Sequence, residues 1–180
     1  MSVLSVLASK DMWDILQLYT RYNIVLIGEE GVGKRAFMTR HRTGKFPWRS
    51  EPDAGEKMTL IFPTNHGQIS CDIQLGQNIP ESVSGCGIIA MFDLTSKRSF
   101  DRLTPLIDQQ IKNNTPIVVC GNKYGSKNKQ VHHNNISSLL KKHNYSFPYV
   151  DISVHTTYQI YNPFLLLLSR ITRHSDLFFY

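Results

Sequence analysis

The sequence predicts an α/β fold in which a mostly parallel six-stranded sheet carries helices on both faces. Buried-strand patterns alternate with helical patterns along most of the chain, and the first strand runs into a glycine-bearing turn and a helix. Because parallel sheets bind ligands beyond the carboxyl ends of their strands, we expect a functional site at that edge. Gly28, Asp93, Asn122 and Ser153 all fall at such ends.

Each element follows from its residue pattern. Strands are predicted at 22–27, 59–63, 68–74, 87–92, 117–120 and 149–152, and the second and third of them form a hairpin. Helices are predicted at 34–41, 99–112, 136–143 and 161–174, with a further short amphipathic helix at 11–18. Pro163 is compatible with the last long helix because it falls in its first turn. We interpret 1–20 as an N-terminal extension and 21–180 as one domain.

The composition excludes several classes of protein. The chain has 180 residues and a scattered net charge of +6, which favours acidic partners and leaves nucleic-acid binding open. Its three cysteines form no Cys-x-x-Cys pair, which argues against a disulfide framework or a zinc site. No apolar run approaches about 20 residues, so we expect no membrane span. The last four residues contain no cysteine for prenylation, which also argues against a membrane anchor.

Residues 28–34 fit the pattern Gly-x-x-x-x-Gly-Lys between a predicted strand and a predicted helix. In this setting backbone N–H groups curl around a phosphate, the helix N-terminus adds a favourable field, and the lysine reaches the outer phosphates. A plain glycine turn with a surface lysine is the alternative, but the strand before and the helix after favour a phosphate loop. The predicted phosphate-binding residues are Gly28, Glu29, Glu30, Gly31, Val32, Gly33, Lys34, Arg35 and Ala36.

Arg35 departs from this pattern, because the position needs a Ser or Thr hydroxyl to ligate Mg²⁺. Arginine has no acceptor atom and would repel a cation, so we expect no Mg²⁺ and no other metal here. Two interpretations stay open: the guanidinium replaces the metal, or the site is blocked or weakened. Glu29 and Glu30 add negative charge where phosphates should lie, and we favour the weakened site.

Six segments resemble the Ran family of small GTPases, in order and with near-family spacing: 38–46, 61–67, 87–96, 115–123, 149–153 and 158–165. The resemblance extends over about 22–177. It implies a small-GTPase (P-loop NTPase) fold, GTP or GDP as ligand, and a place in the nucleus and cytoplasm. It also implies nuclear transport receptors or Ran regulators as partners.

The base-recognition motifs differ from that family. Its Asn-Lys-x-Asp motif is Asn122-Lys123-Tyr124-Gly125 here, so the aspartate that accepts hydrogen bonds from guanine is missing. A site built for such a contact commonly loses orders of magnitude in discrimination without it. The family's Ser-Ala-Lys motif is Ser153-Val154-His155, in which the valine N–H can still act but the lysine stem is lost.

The switch motifs differ further. No threonine lies near 51–54, where the resemblance places the residue that binds Mg²⁺ and senses the γ-phosphate. Ile73 stands at the aspartate of the second switch, and Asp72 lies one residue too early. Gly76 and Gln77 match the end of that motif. Gln77 is the candidate water-orienting catalytic residue, although a loop residue without a role is the interpretation we favour.

A basic run also needs an explanation. It could contact phosphate, nucleic acid or an acidic partner, or it could be a solvated helix face. Its members are Lys34, Arg35, Arg40, His41, Arg42, Lys45 and Arg49.

The leading hypothesis is a degenerate Ran-like protein. It acts as a binding module or mimic in nucleocytoplasmic transport, with guanine-nucleotide binding weakened or lost and without GTP turnover. One alternative is a functional GTPase with a metal-poor site. Another is a basic domain that binds nucleic acid, whose binding would fall steeply with salt.

Overall fold

A computed structural model describes residues 21–47, 56–76 and 86–180. In chain order its elements are β1 (Arg21–Ile27), α1 (Lys34–Thr43), β2 (Lys57–Thr64), β3 (Gly67–Gly76), β4 (Cys86–Asp93), α2 (Lys97–Lys112), β5 (Ile117–Asn122), α3 (His133–Lys142), β6 (Tyr149–Asp151) and α4 (Asn162–Thr172). The helix predicted at 11–18 lies outside the described residues, so the proposed N-terminal extension stays a prediction.

The six strands form one sheet in the order β2-β3-β1-β4-β5-β6. Every neighbouring pair is parallel except the β2–β3 hairpin, which confirms the predicted sheet. β1 lies between β3 and β4, where Ile27 is paired with Gly76 on one side and Ala90 on the other. The turn that follows β1 therefore starts at the middle of the sheet edge.

Two apolar cores cover the two faces of the sheet, because successive residues of each strand point to opposite faces. Leu26 packs into a core with Phe37 of α1 and Phe164 of α4. Ile27 packs into the other core with Leu103 of α2, and α3 covers the same face. The predicted helices on both faces are confirmed, and the double covering explains why β1 and β5 are continuous apolar runs.

Two element ends differ from the prediction for local reasons. β5 continues through Gly121 to Asn122, because all of its residues are buried and it stays paired with β4. α2 begins at Lys97 rather than two residues later. Ser96 caps it, since the Ser96 Oγ accepts a hydrogen bond from the Ser99 N–H at 3.2 Å.

The last two helices are also shifted. α3 begins at His133, three residues before the predicted start at Ile136. α4 begins at Asn162 and carries Pro163 in its first turn, as predicted. Among the described helices, none has the length and apolar character needed to cross a membrane.

Two cysteines of the described residues lie in the core. Cys71 on β3 and Cys120 on β5 are free and buried. Burial raises the pKa of the Cys71 thiol to about 12, and it also raises the pKa of Cys120. Both side chains therefore behave as small apolar groups.

The chain after α4 folds back along the edge strand β2. Leu177 is buried, and the Phe179 ring stacks on Phe62 with 4.8 Å between centroids. The Tyr180 N–H donates a hydrogen bond to the Pro63 carbonyl at 3.1 Å. This segment covers part of a strand edge that would otherwise expose unpaired backbone groups.

Candidate functional site

The polar residues predicted at strand ends lie along one edge of the sheet. Gly28 follows β1, Asp93 ends β4 and Asn122 ends β5. Asp93 and Asn122 are paired directly across the two strands. Ser153 follows β6 by two residues. These four residues thus lie at the same edge of the sheet, where a site is predicted.

Two glycines allow the turn after β1 to take its shape. Gly28 has φ of +149°, and a Cβ there would lie 2.1 Å from the Met91 carbonyl oxygen. Gly33 has φ of +104°, and a Cβ there would lie 2.4 Å from Asn122 Nδ2. Any larger residue would push the turn away from β4 or β5. Gly33 also begins α1, since its carbonyl accepts a hydrogen bond from the Phe37 N–H at 2.8 Å.

Lys34 lies across this turn. Its Nζ donates hydrogen bonds to the carbonyls of Gly28 at 2.6 Å and Glu29 at 2.8 Å. Desolvation lowers the pKa of Lys34 and Arg35 lowers it further, while Glu29 and Glu30 oppose the shift. An ammonium has three N–H donors, so two loop contacts leave one for a phosphate oxygen.

Glu29 does not bring negative charge to the phosphate side, contrary to the expectation from the sequence. Its Oε1 lies 3.0 Å from Arg98 Nε and 2.8 Å from an Arg102 nitrogen, both on α2. The glutamate side chain is mostly buried, whereas the arginines are mostly exposed. The two guanidinium groups offset its charge, because opposite charges within hydrogen-bond distance stabilise one another.

Arg35 lies in the first turn of α1 with an exposed side chain. Next to it, Ala36 lines the cavity described below, while Val32 is buried under the loop. The loop thus presents a cation at the position where the phosphate-loop pattern has a metal-ligating hydroxyl.

Asn122 joins three segments of the site. Its Nδ2 donates a hydrogen bond to the Val32 carbonyl at 2.8 Å, and its Oδ1 accepts one from the Val154 N–H at 3.1 Å. Only 3% of Asn122 is exposed. We call these two hydrogen bonds the Asn122 clasp; it connects the phosphate loop, the end of β5 and the loop after β6. The Val154 N–H, expected to face a base, is thus engaged in the clasp.

Lys123 and Tyr124, which follow Asn122, make an ion pair and a ring stack, respectively. Lys123 has a left-handed backbone, and its Nζ lies 2.5 Å from Asp93 Oδ2. The Tyr124 ring stacks on Tyr158, with 4.6 Å between centroids and 13° between planes. Lys129 Nζ lies 4.3 Å from the centroid of the Tyr124 ring. This aromatic pair forms a platform beside the motif.

Gly125 leaves open space at the position of the missing aspartate. A Cβ built there meets nothing within 4 Å, and φ is +86°. His155, at the position of the family's lysine, is exposed, and its ring meets the Phe46 ring edge-on at 5.1 Å between centroids. The base side of the site thus offers aromatic surface but no carboxylate at position 125.

A cavity of about 550 Å³ connects the phosphate loop with the base motifs. This volume falls in the ordinary range for small-molecule sites, about 300–1,000 Å³. The predicted site residues that line it are Gly31, Gly33, Ala36, Asn122, Lys123, Ser153, Val154 and His155. Gly28, Glu29, Glu30 and Gly31 also line a second cavity, on the α2 side of the loop, of about 890 Å³.

Five residues that line the first cavity were not among the predicted site residues: Phe46, Tyr124, Gly125, Ser126 and Thr156. Four of them, Tyr124, Gly125, Ser126 and Thr156, lie within or directly after the base motifs, and this position in the sequence could have pointed to them. Phe46 lies far from those motifs in sequence, and nothing but the resemblance segment 38–46 pointed to it.

The second-switch motif is placed only in part. Gly76 ends β3 beside the start of the phosphate loop, as its pairing with Ile27 requires. Ile73 is a buried core residue. Asp72 accepts a hydrogen bond from Thr59 Oγ1 at 2.6 Å within the hairpin, four residues and roughly 13 Å of strand before Gly76. Asp72 is thus unsuited to the role of the switch aspartate. Gln77 and 51–54 lie outside the described residues.

The basic run does not form one solvated face. His41 packs against the rings of Phe37, Tyr161 and Phe164. Burial lowers the pKa of His41, so its ring belongs to the core boundary. Arg40 and Arg42 lie in the last turn of α1, where cations interact favourably with the helix dipole. Arg49 lies outside the described residues.

A sequence model of the Ras family matches residues 23–173, which is well over half of the chain. The match agrees with the six-stranded α/β sheet, the phosphate loop and the position of the base motifs. Members of this family carry small-GTPase domains that generally bind GTP or GDP. The chain belongs to the Ras family of small GTPases.

Proposed function

We propose that this Ras-family protein is a Ran-like binding module in nucleocytoplasmic transport, with weakened guanine-nucleotide binding and little or no GTP turnover. One observation carries the proposal: a fully formed phosphate loop stands beside positions that lack the groups for metal and base recognition. Lys34 and the Asn122 clasp hold the loop in shape. Arg35 and Gly125 occupy the positions from which a hydroxyl and a carboxylate would act.

The phosphate side supports binding of a di- or triphosphate. Glycine N–H groups at the start of α1 and the Lys34 ammonium are the groups that bind such anions in phosphate loops. Because Arg98 and Arg102 offset the charge of Glu29, the loop does not repel a phosphate as strongly as its sequence implies. Nucleotide affinity should therefore be weakened rather than abolished.

The residues present do not fit a magnesium ion. Mg²⁺ takes oxygen ligands in octahedral geometry, and Arg35 supplies none. Asp72, the nearest candidate carboxylate of the second switch, is engaged in the β2–β3 hairpin. We therefore assign no catalytic step to a metal. Lys34 and Arg35 are the cations of the loop that would offset phosphate charge.

The base side supports weak discrimination. Guanine carries an N1–H and a 2-amino group, and an aspartate at position 125 would accept hydrogen bonds from both. Adenine lacks the N1–H, and hypoxanthine lacks the amino group. Gly125 presents no side-chain acceptor, while Phe46, Tyr124 and His155 offer ring surface that suits any base. Such stacking is tolerant of sequence, because every base has a π-face.

The transport role rests on the resemblance of 38–46, 61–67 and 115–123 to Ran. We expect the partner to be a transport receptor or a Ran regulator, and the protein to act in the nucleus and cytoplasm. A protein that does not cycle between GTP and GDP forms would bind such a partner in one state, and so would act as a mimic or competitor of the cycling protein.

One observation favours a second function, GTP hydrolysis without a metal. Arg35 follows Lys34 in the first turn of α1, so two cations adjoin the phosphate loop. Phosphoryl transfer depends mainly on positioned cations and a positioned water, and an arginine can stabilise the transferring phosphoryl group. In this case Gln77 would orient the water and removal of Mg²⁺ would not change the rate.

Nucleotide binding is the decisive measurement. Fluorescently labelled GDP and GTP are titrated into the protein in Mg²⁺ and in EDTA, with Lys34→Ala as the loop variant. Lys141→Ala, at an exposed lysine in the last turn of α3, is the matched control. We expect saturable binding that changes less than about tenfold with Mg²⁺, and that Lys34→Ala weakens at least about tenfold, or 1.4 kcal/mol. A gain of tenfold or more with Mg²⁺ would contradict the proposal.

Partner binding is tested separately with purified transport receptors and Ran regulators. We expect a receptor to bind the protein equally in GDP, GTP or no nucleotide. Binding that requires GTP would mean that the protein switches, and binding to none of these partners would refute the transport role while leaving the nucleotide result intact.

A further inference from the structure

A second cluster of chemically active side chains lies at the hairpin end of the molecule, away from the nucleotide cavity. His66 lies in the turn between β2 and β3, while His174 and Asp176 follow α4. One ligand atom from each residue lies within 4.8 Å of the other two. Within 21–47, 56–76 and 86–180 this is the one group of three or more such residues.

The cluster is compact and accessible. His66 Nε2 lies 3.0 Å from Asp176 Oδ1. The His66 and His174 rings stack with 4.0 Å between centroids and 16° between planes. All three residues are exposed, so an ion from solution can reach them.

Hydrogen bonds fix the two segments that carry these residues. The Asn65 N–H donates to the Phe178 carbonyl at 3.3 Å, and Asn65 Nδ2 donates to the Asp176 carbonyl at 3.1 Å. The Phe178 N–H in turn donates to Asn65 Oδ1 at 2.9 Å. The ligand atoms are therefore brought together by the backbone around them and not by chance contacts of long side chains.

We propose that His66, His174 and Asp176 bind Zn²⁺ or a similar divalent transition metal, which fastens the segment 173–180 to the β2–β3 hairpin. Two imidazole nitrogens and one carboxylate oxygen form a three-ligand set that zinc accepts, with water in the fourth position. The bound geometry needs ligand atoms about 3.4 Å apart, given metal–ligand bonds of about 2.0–2.1 Å. The ligand atoms therefore need to approach by up to about 1.4 Å. At least one of the two stacked imidazole rings must also rotate so that its nitrogen faces the ion, and exposed side chains are free to make that rotation.

The ligand set also selects among metals. Imidazole suits zinc, copper and nickel, whereas Mg²⁺ and Ca²⁺ take sets made of oxygen atoms. No metal site was expected from the sequence, because the cysteines form no Cys-x-x-Cys pair and Arg35 would repel a cation. His66 and Asp176 are 110 residues apart in the chain and share no motif that could have pointed to them. Only the return of the chain along β2 brings them together.

The test is a titration of the untagged full-length protein with Zn²⁺ in competition with a chromogenic chelator. We expect one ion per chain, and His174→Gln and Asp176→Asn should each weaken affinity at least about tenfold, since even loss of an outer partner of a metal ligand costs about 10- to 100-fold. Mg²⁺ and Ca²⁺ should not compete.

His133→Gln is the matched control, because His133 is another exposed histidine, in contact with Ser137 at 3.0 Å. It should bind Zn²⁺ like the unmodified protein. Zn²⁺ should also raise the unfolding temperature of the unmodified protein and of His133→Gln, because a ligand that binds the folded state stabilises it by mass action. It should not raise the unfolding temperature of the triple variant His66→Gln, His174→Gln, Asp176→Asn. The proposal is overturned if no ion binds stoichiometrically, or if the triple variant, folded by circular dichroism, binds as tightly as the control.

Discussion

The cavity between the phosphate loop and the base motifs has two ends, which differ in how tightly their residues pack into the fold. At the phosphate end, Gly28 and Gly33 lie against the neighbouring strands, and the Asn122 clasp joins loop, sheet and the segment after β6. At the base end, Gly125 adjoins open space and His155 is exposed.

The difference indicates which residues serve the fold and which serve only a ligand. A side chain at Gly28 or Gly33 must disturb the packing against β4 or β5, because neither position has room for a Cβ. A change at position 125 disturbs no neighbour. A Ras-family domain can therefore lack a base-recognition carboxylate and still form an ordered phosphate loop.

The largest expected effect is on the Asn122 clasp. Asn122→Ala leaves the Val32 carbonyl and the Val154 N–H without their partner in a buried place, and each such group costs about 1–3 kcal/mol. We expect the free energy of unfolding to fall by about 4 kcal/mol in urea denaturation. Asn128→Ala, at an exposed turn, should change it by no more than about 0.5 kcal/mol. Equal effects of the two substitutions would mean that the clasp does not hold the loop.

A pair of glycine substitutions compares the two ends directly. Gly33→Ala should cost about 3 kcal/mol, since it adds left-handed strain of about 1–2 kcal/mol and displaces the Asn122 amide. Gly125→Ala carries the strain alone and should cost about 1 kcal/mol. Urea denaturation of both variants measures the difference. A larger loss for Gly125→Ala would reverse the comparison.

Restoring a carboxylate at the base end should affect binding more than stability. Gly125→Asp has space for its side chain, and aspartate tolerates a left-handed backbone better than most residues. We expect GTP to gain about tenfold over ITP in competition with labelled GDP, or about 1.4 kcal/mol, whereas the unmodified protein should bind GTP, ITP and XTP about equally. Gly125→Asn is the control without the charge. Strong GTP preference in the unmodified protein would show that another group recognises the base.

The smallest expected effect is on hydrolysis. Gln77→Leu should change the single-turnover rate of GTP hydrolysis by less than about twofold, because Ile73 stands at the aspartate position of this switch and Asp72 is held in the hairpin. Radiolabelled GTP gives the measurement. If the unmodified protein hydrolyses GTP at an ordinary small-GTPase rate and the variant is clearly slower, the metal-free GTPase becomes the better account.

Much of the phosphate end could be predicted from the sequence. Gly28, Gly33 and Lys34 lie within seven consecutive residues, and the strand before them and the helix after them specify how the backbone groups point. The orientation of the Glu29 side chain toward α2 could not be predicted, because its partners Arg98 and Arg102 belong to a helix about 70 residues later in the chain. A local sequence pattern predicts backbone geometry well, but it does not show which charged residue from a distant part of the chain a side chain will contact.

The base end was predicted less completely. The motifs that carry Gly125 and His155 were found, yet the edge contact of Phe46 with His155 and the Tyr124–Tyr158 stack were not. The base motifs were placed at the site by their positions after β5 and β6, as the rule for parallel strands requires. These ring contacts depend on the conformation of loops, which cannot be predicted from hydrophobic periodicity.

The sequence by itself determined the α/β class, the strand and helix order, the phosphate loop and the lack of an aspartate at position 125, since each rests on neighbouring residues and on periodic burial. Tertiary structure alone decided that Asn122 would join three segments, that Glu29 would turn to α2, and that His66 would meet His174 and Asp176. These contacts join parts of the chain that are distant in sequence. They follow from the sheet order and from the return of the C-terminal segment along β2, which no local pattern specifies.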